Sequence, residues 1–179
     1  MNTSKGTQIL RLALPLILQQ LCLQMQLWID RAMLGHVNAL YFSAIGNTMV
    51  PYHMIASAIT ALCGGTAILT AQGIGAKKYE LVRKTAESSL LGSTLISVSA
   101  FFLFFFGAEG LFRLMGVQSP ILEYSIAYIR ILSVSLLFLG ASATATAYLQ
   151  GIGLTKVIMA AGIAGNLVNI GLDWLLIFS

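Results

Sequence analysis

Apolar runs of about 20 residues recur along this chain, and at about 1.5 Å per residue each is long enough to cross a hydrocarbon layer of about 30 Å. They predict five membrane helices: Ile9 to Leu34, Phe42 to Ala71, Thr85 to Phe106, Leu122 to Leu149 and Lys156 to Phe178. Pro51 should kink the second by removing a backbone donor. The segment after the third, GAEGLFRLMGVQSP, reads as a short interfacial exit. Glycines inside the runs, at Gly64, Gly65, Gly140, Gly162 and Gly165, are expected to let helix backbones approach closely. The fold class is an all-α integral membrane protein, residues 1–179 forming one transmembrane helical domain.

The polar exceptions inside these runs carry the chemistry. With about 100° of rotation per residue, Gln19, Gln26 and Asp30 share one stripe of the first helix, and Gln20, Gln24 and Arg31 form a second about 120° away. Such a helix cannot face lipid all round. The amides can hold the bundle together by interhelical hydrogen bonds or line a cavity. On the fifth helix, Asn166, Asn169 and Asp173 are spaced i, i+3 and i+7 on one face. A carboxylate at membrane depth costs about 2.5 to 3.5 kcal/mol on insertion scales, so Asp30 and Asp173 point to ion coupling, proton relay or substrate contact. Asn169 and Asp173 can present oxygens to one small cation or hydrogen-bond around a protonated acid. Oxygen ligands suit a hard ion such as sodium and not a transition metal. The bland alternatives are a structural pairing for Asp30 and an interfacial position for Asp173 beside Trp174.

Composition narrows the classes. Of 179 residues 58% are hydrophobic and 9% charged, and no soluble domain is left over. The net charge of +4 comes from basic residues in the gaps between runs, a topology signal and not a nucleic-acid footprint. Lys5, Arg11, Lys77, Lys78, Arg83, Lys84 and Lys156 fall on one side and place the N-terminus in the cytoplasm. The odd number of helices reads as an incomplete unit, lacking a sixth helix after which a parallel second copy could begin. Cys22 and Cys63 read as small apolar fillers, with no metal-ligand spacing. His53 reads as a packing residue, and Arg130 as snorkelling outward or pairing with Glu123. QGIGAKKYE lacks the strand and third glycine of a dinucleotide site and reads as a loop. No nucleophile and base pair suggests an enzyme, and no cofactor is implied beyond a coupling ion.

Several segments in order resemble the multidrug and toxic compound extrusion family. RLALPLILQQL resembles its opening helix and IDRAMLGHV the aspartate-containing end of that helix. AQGIGAKKYELVRK is similar to its basic cytoplasmic loop, YLQGIGLTK to the turn between the fourth and fifth helices, and NIGLDWLLIF to the fifth helix with its aspartate. The resemblance implies a multi-pass protein of the cell membrane, in bacteria the inner one, built from two six-helix lobes around a cavity. It implies a secondary antiporter that exports amphiphilic, often cationic compounds in exchange for H+ or Na+. Asp30, Asn169 and Asp173 match the family's coupling positions, with Gln19, Gln26 and Asn166 as cavity-lining candidates. Arg31 departs from the small or hydroxyl residue common there. The implied partners are an amphiphilic small molecule, membrane lipid and a C-terminal lobe of the same polypeptide. Two other readings stay open: a flippase for lipid-linked oligosaccharides or lipids, and a non-transporting membrane subunit that works with a partner chain.

Overall fold

A computed structural model describes the backbone of residues 3–35 and 39–178, and within it the side chains of 3–5, 8, 11, 27–35, 39, 173 and 176–178 lie outside the described residues. Six helices follow one another: α1 (Thr3–Gly35), α2 (Ala39–Gly75), α3 (Tyr79–Leu114), α4 (Ile121–Ser133), α5 (Leu136–Gly151) and α6 (Thr155–Phe178). By length and apolar composition, Leu40–Gly75, Tyr79–Leu114 and Thr155–Leu172 can each cross a membrane, and α4 with α5 makes a fourth span if the bent pair counts as one. α1, with 33 residues, has the length as well.

The predicted helix over Leu122–Leu149 is broken. α4 and α5 meet at 44°, although no proline lies at the junction. The cause is local hydrogen-bond competition. Ser133 Oγ donates to the Arg130 carbonyl and Ser135 Oγ to the Leu132 carbonyl, both at 2.7 Å, while the backbone N–H groups of Val134 and Ser135 reach back only three residues. Hydroxyls that take up carbonyls in this way bend helices. The Tyr52 hydroxyl of α2 lies 2.8 Å from Ser135 Oγ and ties the bend to its neighbour. α2 itself passes Pro51 as one helix, so the break in the chain falls opposite the proline and not at it.

α2, α3, α4 and α5 pack into one block, whereas α1 packs mainly on α6 and touches α2 only lightly. The buried face of α3 records the block's two kinds of packing: Thr85, Ser93 and Ser97 toward its start, Phe104, Ala108 and Phe112 toward its end. The large side chains join Leu122, Ile129 and Leu136 in an apolar core. Lipid tails are as apolar as leucine, so close approach and polar contacts must hold the other end. There, Ser93 Oγ donates to the Gly140 carbonyl at 3.0 Å and lies 2.8 Å from Thr144 Oγ1, and Thr66 Oγ1 donates to Ser89 Oγ at 2.7 Å. Cys63, buried and free, sits 3.5 Å from Thr144 Oγ1, a polar contact beyond the apolar filling expected of it.

The glycines divide. A Cβ at Gly140 would come within 2.4 Å of the Ser93 carbonyl oxygen, and one at Gly162 within 2.8 Å of Gln19 Cγ, as expected of close approach. Gly64, Gly65 and Gly165 have open space around them, so close approach does not explain those three. The exit after α3 also differs from expectation, because GAEGLFRL continues the helix to Leu114, with Arg113 paired to Glu109 at 2.8 Å. QGIG in QGIGAKKYE likewise belongs to the end of α2, which leaves only residues 76–78 between helices. Of the two expectations for Arg130, it is exposed, as outward snorkelling requires, and its Nε donates to the Phe105 carbonyl of α3 at 3.1 Å and not to Glu123.

Candidate functional site

The two polar stripes of α1 meet two different neighbours. Gln19 lies against Gly162 of α6, and one heptad later Gln26 Nε2 donates to Asn169 Oδ1, also of α6. Both pairs are 143 residues apart in sequence, so α1 and α6 run parallel in a fixed register. The same separation relates Asp30 to Asp173, each one turn beyond Gln26 and Asn169 on its own helix. The backbones of the two aspartates therefore stand at the same level of this seam. Their side chains, with that of Arg31, lie outside the described residues. Between the two contacts sits Asn166, whose buried Nδ2 has no acceptor among the described residues. Gln19 and Asn166 thus belong to the seam and not to the cleft described next, while Gln26 borders both.

The second stripe faces α2. Gln20, Gln24 and Gln26, with His53, Ser57 and Thr60 across from them, line a cleft of about 600 Å³. A second cavity of about 570 Å³ runs along α2 past Phe42, Met49, Val50 and Met54, and it shares His53 and Ser57 with the first. The two make one open groove with His53 at the junction. His53, expected to be a packing residue, is exposed in this chain, with its ring edge-on to Tyr52 at 5.8 Å. Its signal was available in the spacing, since His53, Ser57 and Thr60 fall at i, i+4 and i+7 on one face of α2. Among the described residues no group of three His, Cys, Asp or Glu side chains could hold a metal ion. Of the expected sodium ligands Asp30, Asn169 and Asp173, the described one, Asn169, has its Oδ1 accepting the Gln26 bond with one of its lone pairs.

Comparison with known proteins decides the family. The MatE family model matches residues 15–175. The chain belongs to the MatE family. Its curated relatives include a probable multidrug resistance protein NorM of Bacillus cereus, 19% identical over 98% of this chain and 39% of that protein. Among solved structures, a MOP superfamily transporter from Pyrococcus furiosus is 26% identical with a TM-score of 0.88, covering 96% of this chain and 38% of that one. A MATE protein in complex with MaD3S superposes with a TM-score of 0.89 at 24% identity, over 94% of this chain and 38% of that one, a likeness of fold. This MatE chain spans about 39% of the length of the curated relatives it matches. Members of the family are transporters, not enzymes, and the apolar helices here fit a multi-pass membrane protein.

Proposed function

We propose that this chain is most of the N-terminal lobe of a secondary antiporter that exports amphiphilic compounds across the bacterial inner membrane in exchange for H+ or Na+, its cavity completed by a C-terminal lobe. The observation that carries the reading is the parallel α1–α6 seam, where Gln26 bonds Asn169 and the backbone positions of Asp30 and Asp173 stand level one turn further on. In the proposed mechanism a proton or sodium ion taken up at Asp30, Asn169 and Asp173 removes the repulsion of two carboxylates and favours one packing of α1 against α6. The lightly held α1–α2 face then changes its opening to the cleft. Transport is coupled because the ion binds the two packings with different affinity.

The cytoplasmic N-terminus is supported by charge. Lys77 and Lys78 lie in the α2–α3 turn, Arg83 and Lys84 early on α3 and Lys156 early on α6. A flippase for anionic lipids would call for cations in the cavity, and among the described residues no lysine or arginine lines either cavity, the side chain of Arg31 lying outside them. Asp30→Asn in the protein expressed from its complete coding sequence is expected to abolish gradient-driven efflux of a fluorescent cation while leaving expression intact. Unchanged efflux would overturn the coupling assignment.

A further inference from the structure

Among the described arginines, Arg83 and Arg113 face carboxylates and Arg130 does not. Of its five N–H donors only the Nε one is engaged among the described residues, on the Phe105 carbonyl at 3.1 Å. That bond fixes the plane of the guanidinium against α3 and leaves the two terminal nitrogens facing outward from an exposed side chain. The whole chain holds six Asp and Glu residues, so the search for a counter-charge can be completed. Asp30 and Asp173 stand on α1 and α6, and neither helix packs on α4. Glu80 and Glu87 lie at the far end of α3, and Glu109 is held by Arg113 at 2.8 Å. Glu123, on α4 itself, is seven residues or about 10 Å further along the helix. The position is also deep. Arg130 follows the start of α4 by nine residues and Phe105 precedes the end of α3 by nine, about 13 Å in each case. Glu109, Arg113 and Glu123 all lie nearer the turn between the two helices, and so does the exposed Tyr124, edge-on to Tyr41 at 5.1 Å in the manner of an interfacial aromatic. The exposed side chains at the level of Arg130 are instead apolar: Phe102, Leu103 and Phe106 on α3, Ile131 and Val134 on α4. A cation at such a level is met by reaching toward the headgroups while a headgroup sinks toward it.

We propose that Arg130 is the binding site for the phosphate of a phospholipid in the leaflet beside the α3–α4 turn. Its two terminal nitrogens take two phosphate oxygens, and an acyl chain lies along the stacked rings of Phe102 and Phe106. With no carboxylate to share the charge, the site prefers a net anionic headgroup to a zwitterionic one. The lipid also touches the bend in the bundle: Ser133 Oγ donates to the Arg130 carbonyl, and the break between α4 and α5 follows within the next turn. A phosphate held there braces α3 against α4 directly before the bend. The site stands apart from the α1–α6 seam and does not depend on the antiport reading.

The test uses the protein expressed from its complete coding sequence, stripped of lipid in detergent and titrated in native mass spectrometry. The probes are dioleoylphosphatidylglycerol, dioleoylphosphatidylethanolamine and, as a lipid without phosphate, dioleoylglycerol. Arg130→Gln is expected to weaken the tightest phosphatidylglycerol site about tenfold, the loss of charge-assisted hydrogen bonds, and to leave dioleoylglycerol within about twofold. Phosphatidylethanolamine should bind the native protein less tightly than phosphatidylglycerol and lose less in the variant. Arg130→Lys, which keeps the charge without the fork, should recover part of the affinity, and Arg113→Gln should leave it unchanged. A second measurement keeps Arg130 in place: the fluorescence of Phe106→Trp should be quenched by phosphatidylglycerol brominated on its acyl chains, and more strongly than by the brominated phosphatidylethanolamine. Equal phosphatidylglycerol affinity in the native protein and Arg130→Gln would overturn the proposal. So would an equal loss of dioleoylglycerol, or an unquenched Phe106→Trp, which would mean that protein and not lipid covers this face.

Discussion

The block of α2 to α5 and the pair of α1 with α6 are held by different means. In the block, backbones meet with nothing between them: the Gly140 Cα faces the Ser93 carbonyl, and Gly151 faces the Ala67 carbonyl and the Thr70 side chain. In the pair, the nearest neighbour of Gly162 is the flexible Gln19 side chain, and the contact one heptad on is an amide to amide hydrogen bond. Backbone against backbone cannot yield without moving a helix. Side chain against glycine can yield by a rotamer change. The comparison teaches that this lobe joins a stiff unit to an adjustable one, and that the residues proposed for coupling stand on the helices of the adjustable side.

Mutations can break that contrast in order of size. Gly140→Val would place its Cβ within 2.4 Å of a carbonyl oxygen and should cost about 3 kcal/mol or more, read as a large drop in the thermal unfolding midpoint in detergent. Gly162→Ala meets only Gln19 and should cost about 1 kcal/mol; a loss as large as that of Gly140→Val would mean that the seam is as stiff as the block. Ser93→Ala removes the bonds to the Gly140 carbonyl and to Thr144 and should cost about 0.6 to 1.7 kcal/mol in the same assay. Gln26→Leu should shift the unfolding midpoint little, because its loss is one hydrogen bond of about 1 kcal/mol, yet should reduce efflux strongly if the seam couples transport. The smallest effect is expected at Lys77, which adopts a φ of 58° in the left-handed region at the end of α2; Lys77→Gly should stabilise by up to about 1 kcal/mol.

The peptide QGIG shows where local reading stops. It occurs at residues 72–75 and again at 150–153. At the second site α5 ends, with Gly153 at φ 84° and the Leu154 N–H bonded to the Leu149 carbonyl at 2.9 Å. At the first, Gly75 stays helical and the same kind of cap forms two residues later, with Lys78 N–H on the Gly73 carbonyl at 2.8 Å and Lys77 taking the left-handed position. In both copies the first glycine opens a close approach, Gly73 to Val82 of α3 and Gly151 to α2. What differs is the neighbour each helix end must reach, and no four-residue window carries that.

Hydropathy and helical period alone determined that this chain is a set of membrane helices, that α1 carries two polar stripes and α6 one, and that Asp30, Asn169 and Asp173 deserve weight. Those properties are local, because a helix satisfies its own backbone and fixes the angle between its side chains. Only the tertiary structure decided that Gln26 meets Asn169 while Gln20 and Gln24 face His53, that α4 breaks at serines opposite Pro51, and that Gly140 is crowded while Gly64 is not. Each of these depends on which helix stands beside which and in what register. In a membrane that choice is made by packing and scattered hydrogen bonds, and not by a hydrophobic gradient that the sequence would display.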